Sequence, residues 1–216
     1  MENTENSIVT DIDGNAYNLV QIKSQIWTKE NLNVSKYRNG DDIPQVQDNA
    51  EWAALTTGAW CYLDNNPDNG KIYGKLYNFY AVIDPRGLAP EGFHIPIDDD
   101  IKKLISSFYT PNYVGKNLKE EGTAHWIDRF NPGDNETGFT ALPGDQRKTN
   151  GEFRYQNIKQ EFGFEGYWWC TFEEDSMPTE NFTFLHGYNL SATSDLCFRV
   201  KSFSGNEGLS VRCLKD

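Results

Sequence analysis

The sequence predicts an α+β fold of short twisted antiparallel strands, one or two helices and long ordered loops. Three observations predict it. Aromatic residues make up 14% of the chain against 38% for all hydrophobic residues together. The core must therefore be built largely from rings, which bury much area and often keep one polar atom hydrated. Eighteen glycines, with many Asn, Ser and Asp, separate short apolar runs, the composition of tight turns and ordered loops between strands. One segment only, Asp98 to about Phe108, carries a clear helical stripe. Ile101, Leu104, Ile105 and Phe108 fall on one face. Pro96 precedes it, and Asp98, Asp99 and Asp100 crowd the first turn, where carboxylates cap free N–H groups and meet the dipole.

Along the chain, Ser7–Asp11 and Ala16–Ile22 flank Asp13-Gly14-Asn15 and read as a hairpin over about 7–22. Asp11-x-Asp13-Gly14 shares part of a calcium-loop spacing, but the terminal Glu is missing, so a turn is the expected reading. Gln25-Ile26-Trp27 reads as a strand, and Asn49 to Leu55 as one helical turn. Ala59 to Tyr62 is a further strand. Asp64 to Gly70 is expected to be a loop. Tyr73 to Val82 fits strand or helix, and Val114 to Glu120 fits a short helix. Later strands are expected at Gly138–Pro143, Tyr167–Thr171, Leu196–Val200 and Leu209–Leu214. The length, with no internal repeat or linker, suits one domain over residues 1–216.

A formal charge of -12 and a pI near 4.7 repel nucleic acid. No apolar run reaches the length of a membrane span. The polar segment Met1 to Asn6 has no signal-peptide character, so export is expected with a trimmed leader or as part of an assembly. Four cysteines, Cys61, Cys170, Cys197 and Cys213, contain no Cys-x-x-Cys pair. Either two disulfides or four buried thiols fit. If disulfides form, the preferred pairs are Cys170 with Cys197, bracketing the long loops, and Cys61 with Cys213. His94, His125 and His186 are scattered, and no zinc-binding His pair, nucleophile elbow or P-loop lysine occurs. Acidic pairs such as Glu120-Glu121 are expected on a solvated face. No cofactor is predicted. A structural calcium at Asp64 to Asp68 or Asp98 to Asp100 stays open, with helix capping the stronger reading for the second.

Several blocks together resemble a known family. They include Thr10 to Asn15, Gly58-Ala59-Trp60-Cys61-Tyr62, Tyr73 to Val82 and Gly87 to Pro96. Gly138 to Gly144, Tyr167-Trp168-Trp169 and Leu209 to Asp216 complete the set. The chain is similar to the Fibrobacter succinogenes major paralogous domains. That resemblance implies a C-type-lectin-like fold and secreted or surface proteins, including lipoproteins. It also implies kinship with formylglycine-generating oxidases. Those enzymes hold copper through two cysteines five residues apart near an Arg-Cys ending like Arg212-Cys213. Here Gly208 stands at the partner position, so an enzyme is not expected. Lectin calcium tripeptides are also missing, with Met177 before Pro178 where a carboxylate would stand.

The resemblance places the ligand-facing region at about 165–210. Within it Phe172, Phe182, Phe184, His186, Tyr188, Asn189, Arg199 and Phe203 are the candidate binding residues, since aromatics with adaptable polar neighbours suit recognition. The expected function is recognition of a protein or glycan at the cell surface or in an extracellular assembly. The alternative is a structural subunit of a fibre, baseplate or pilus tip. Relatives that diversify the stretch before the last strand suggest that residues 180–206 vary between strains.

Overall fold

The computed structural model describes residues 8–127, 131–157, 162–172 and 185–216; at positions 157 and 201–203 the description is limited to the backbone. The strands are β1 (Ile8–Thr10), β2 (Ala16–Ile22), β3 (Gln25–Thr28), β4 (Trp60–Cys61), β5 (Leu76–Tyr77), β6 (Phe93–His94), β7 (Glu165–Trp169), β8 (Leu185–Ser191), β9 (Phe198–Phe203) and β10 (Leu214–Lys215). The helices are short: α1 (Asn49–Ala53), α2 (Pro67–Tyr73), α3 (Phe79–Val82), α4 (Asp98–Ser106), α5 (Val114–Leu118) and α6 (Arg154–Asn157). The result is an α+β arrangement of small antiparallel sheets.

Asp11 closes the first turn. Its carboxylate accepts from the backbone N–H of Asp13 and Asn15, from the Asn15 amide and from the Tyr17 hydroxyl. Gly14 supplies the left-handed φ of +85° that the turn needs. β1 and β2 then pair antiparallel, and β2 returns through Lys23 into β3. β10 enters between β3 and β6, giving the sheet order β1-β2-β3-β10-β6. The last strand is thus built into the sheet that the first hairpin begins. Thr28 N–H donates to the Cys213 carbonyl, and Cys213 N–H to Thr28 Oγ1. A second sheet pairs β4 with β5, and a third has the order β7-β8-β9.

Three expectations need correction. Asp64 to Gly70 is not simply a loop: Asn66 caps α2, accepting from Asp68 N–H, and Pro67 occupies the first turn. Asn-Pro here is a helix start, because proline lacks only an N–H that the first turn leaves unused. Gly138–Pro143 forms no strand; Ala141 makes one bridge to Lys119. The final strand is confined to Leu214–Lys215, while Leu209 and Ser210 make isolated bridges to Tyr77 and Trp168.

All six tryptophans are buried, Trp168 and Trp169 among them. Five of them also donate into the irregular backbone or its supports. Trp52, Trp60, Trp126 and Trp169 donate to the carbonyls of Asn206, Ile43, Ala141 and Tyr77, and Trp168 to Asn31 Oδ1.

Four buried cations do the same work on a larger scale. Arg147, fully buried, donates to the carbonyls of Val46, Gln47 and Gly151 at 2.6–2.7 Å and lies 4.4 Å over Trp52. Lys119 Nζ reaches the carbonyls of Asn131, Ser191 and Ser194. Arg212 donates to Asn31 Oδ1 and to the carbonyls of Thr28, Phe139 and Thr140. Lys75 binds the Asn33 carbonyl and Ser35 Oγ, 4.3 Å over the Trp60 ring. Burial pushes Lys75 and Lys119 down to about 8 and Arg212 down to about 9.

Removing such a cation strands several buried carbonyls at once. Arg147→Met is expected to lower stability by about 3–5 kcal/mol, read from urea unfolding. Lys71→Ala, which breaks only an exposed pair with Asp68, is expected to leave the midpoint unchanged.

Candidate functional site

The third sheet carries most of the residues expected to bind. Tyr188 on β8 lies opposite Arg199 on β9. The Tyr188 hydroxyl donates to Asp98 Oδ1 at 2.8 Å, and Arg199 Nε pairs with the same oxygen. Arg199 Nη2 is 2.8 Å from His186 Nδ1. The His186 ring lies 5.3 Å from that of Phe172, which also packs on Phe79. Burial opposes charge on Asp98, but the Tyr188 hydrogen bond, Lys102 and Arg199 outweigh it and hold its pKa below the usual value. Asp98 thus ties the start of α4 to the sheet.

Four of the expected residues, Phe172, His186, Tyr188 and Arg199, therefore come together, although Tyr188 is itself buried, at 5% exposure, and serves the packing of α4 on the sheet. Asn189 does not join them. It is buried and donates to the carbonyls of Gly166 and Leu190, because strand alternation turns it to the opposite face from Tyr188. Phe182 and Phe184 lie outside the described residues. Phe203 ends β9, with its side chain outside the description. Exposed apolar side chains that sequence reasoning missed sit in the same part of the chain: Leu196 and Phe198.

A second feature was not anticipated. An open cleft of about 460 Å³ lies between the Asp42–Pro44 segment, the Thr56–Gly58 loop and the Tyr80–Arg86 segment. Its walls are fixed from within. Asn78 caps α3, accepts from Ala59 and Ala81 N–H, and donates to the Thr57 carbonyl. Arg86 is forked onto Asp84, with Nε and Nη2 both at 2.8 Å from its carboxylate, while Nη1 reaches Asp41 at 3.1 Å. The Arg86 hydrogen bond is the main cause holding the Asp84 pKa below its usual value. The guanidinium lies 4.0 Å over the Tyr37 ring. The only sequence signal was the turn chemistry of Asp84-Pro85-Arg86-Gly87, which does not announce a cleft.

The cysteines sit apart. Cys170 N–H donates to the His186 carbonyl, and Phe198 pairs with Asn189. Cys170 and Cys197 are therefore offset by four residues along β8, about 13 Å, beyond the roughly 7 Å that a disulfide spans. Cys61 and Cys213 belong to different core clusters. All four are free thiols, the second of the two alternatives that the cysteine count left open, and neither conditional pair, Cys170 with Cys197 or Cys61 with Cys213, is formed. Burial raises Cys61 to about 11 and the other three to about 12. Thiol titration without reductant is expected to find four thiols, with Cys61, Cys170 and Cys213 accessible only after unfolding and the half-buried Cys197 reacting first.

The acidic loops are spent on structure. Asp64 accepts from the Tyr155 hydroxyl and Gln156, and Asp100 accepts from Ile97 N–H. Among the described residues, no three His, Cys, Asp or Glu converge as metal ligands. Gly208 exchanges backbone hydrogen bonds with Arg147, and Arg212 is committed to the core.

Two carboxyls stand out electrostatically. Burial raises Asp145 and Glu207 to about 7 from ordinary values of 3.8 and 4.5. Each accepts a backbone N–H, from Tyr155 and Ser204 respectively. A raised carboxyl favours the folded state most at low pH. That contribution is complete below the ordinary values and is lost as pH rises through about 7. The thermal midpoint is expected to rise as pH falls from about 8 to about 5, and Asp145→Asn is expected to flatten that rise.

No helix among the described residues is long and apolar enough to cross a membrane. Neither a curated protein nor a solved structure matches the chain. The family model for the Fibrobacter succinogenes major domain matches residues 20–215, nearly the whole chain, which therefore belongs to that family.

Proposed function

We propose that this domain is a non-catalytic recognition module of C-type-lectin-like architecture, displayed at the cell surface or in an extracellular assembly. The observation that carries this reading is the preformed cleft beside Arg86. Its charged groups are locked to one another in fixed geometry, with Asp84 held ionised. Rigid, paired charges suit orientation of a ligand, since pre-organisation lowers the cost of binding. A general acid or base would instead need a pKa tuned toward the working pH. Asp145 and Glu207 have such values, but both are held by backbone N–H groups and do not line this cleft.

The structural-subunit reading draws on a different observation. Tyr109, Tyr113, Leu196 and Phe198 expose large apolar surface, and such groups are commonly covered by partners. An oxidase has less support, because Gly208 occupies the position where the second copper cysteine would stand.

An array of glycans and surface proteins, probed with the native chain with and without chelator, tests the recognition reading. Chelator-resistant binding that is weakened by Arg86→Met is the expected result. A chain that binds nothing on either array overturns it.

A further inference from the structure

We propose that the cleft beside Arg86 takes a neutral saccharide, without a metal ion. The inference rests on the recognition reading above and names its ligand class. Cleft volume sets the scale. About 460 Å³ falls within the range of small-molecule sites and suits one or two sugar rings. A protein partner would instead need a broad interface with an apolar centre, whereas this rim is formed by Asp42, Thr56, Thr57 and Arg86.

The lining divides as a sugar does. Tyr80, Ile83 and Pro44 offer apolar surface for C–H faces, and Asp42, Thr56 and Arg86 offer partners for hydroxyls. Arg86 has five N–H donors. Asp84 and Asp41 take three of them, leaving two on a guanidinium that is already clamped flat. A planar donor beside ionised carboxylates can bind the donor and acceptor sites of adjacent hydroxyls together. Asp42 and Asp84 outnumber Arg86 at the walls, and the whole chain carries a charge of -12. An anionic ligand is therefore disfavoured.

The floor supplies an independent observation. Tyr37 is 1% exposed, and its hydroxyl faces Asp84 and Arg86 without a hydrogen bond of good geometry. It stands directly behind Gly58, which lines the cleft; a Cβ at Gly58 would lie 1.9 Å from Tyr37 Oη. The Tyr37 ring also lies 4.0 Å beneath the Arg86 guanidinium, so a buried aromatic backs both Gly58 and the donor that faces the cleft, which keeps that donor in place for a ligand.

The test uses the intact chain and a panel of neutral methyl glycosides with gluco, galacto, manno and N-acetylglucosamine configurations. Saturation-transfer NMR and amide shifts give the readout, and a lysine-rich peptide serves as the comparison ligand. At least one glycoside is expected to bind, with shifts centred on residues 56–58 and 83–86. Asp42→Ala and Arg86→Met are each expected to weaken it at least tenfold. Asp42 is exposed and its side chain makes no hydrogen bond among the described residues, so Asp42→Ala should fold even if Arg86→Met does not. No binding by any glycoside, or binding unchanged in Asp42→Ala, overturns the proposal. Peptide or array-protein binding without glycoside binding also overturns it, while leaving the recognition reading intact.

Discussion

A fold made mostly of loops has many carbonyl groups that no helix or sheet ladder reaches, and each must find a donor once it is buried. Long cationic side chains solve this problem here. Arg147 draws the segment carrying Val46 and Gln47 onto Gly151, while its backbone exchanges hydrogen bonds with Gly208. Lys119 joins the loop at Asn131 to the end of β8 at Ser191 and to Ser194. Arg212 ties the last segment of the chain to Thr28, Phe139 and Thr140. None of these side chains forms a carboxylate ion pair among the described residues. The multiple donors of one cation substitute for a ladder, and the rings of Trp52, Trp126 and Phe139 lie against the charges of Arg147, Lys119 and Arg212.

This arrangement also explains how an open cleft can have firm walls. The Asp42–Pro44 wall continues directly into the Val46–Asn49 segment that Arg147 holds, and Trp60 Nε1 binds the Ile43 carbonyl. Asn78 fixes the Thr56–Gly58 wall from behind. Tyr80 on the opposite wall packs beside Gly205, where a Cβ would lie 2.8 Å from the ring. Recognition geometry is thus inherited from the core through backbone contacts.

Sequence patterns revealed what is local. Asp13-Gly14 marked the first hairpin, and the three aspartates before Ile101 marked α4, although only Asp100 caps it while Asp98 serves β8 and β9. Tyr167 to Trp169 was legible as a core strand. Lys75, Lys119, Arg147 and Arg212 were not legible, because a charged residue reads as surface unless its carbonyl partners are known, and those partners lie up to 184 positions away in sequence. The cleft was hidden for the same reason. Its three walls come from separate stretches that carry no common motif, and the aromatics that favoured the 165–210 region split between core and sheet face.

Hydrogen–deuterium exchange on Arg147→Lys tests most directly the claim that buried cations shape the recognition cleft. Lysine keeps the charge but loses the fork that reaches several carbonyls at once. The account predicts faster amide exchange across residues 42–58, including the cleft wall, with the β7-β8-β9 sheet still protected. Unchanged exchange at residues 42–58, or uniform loss of protection throughout the chain, would contradict it.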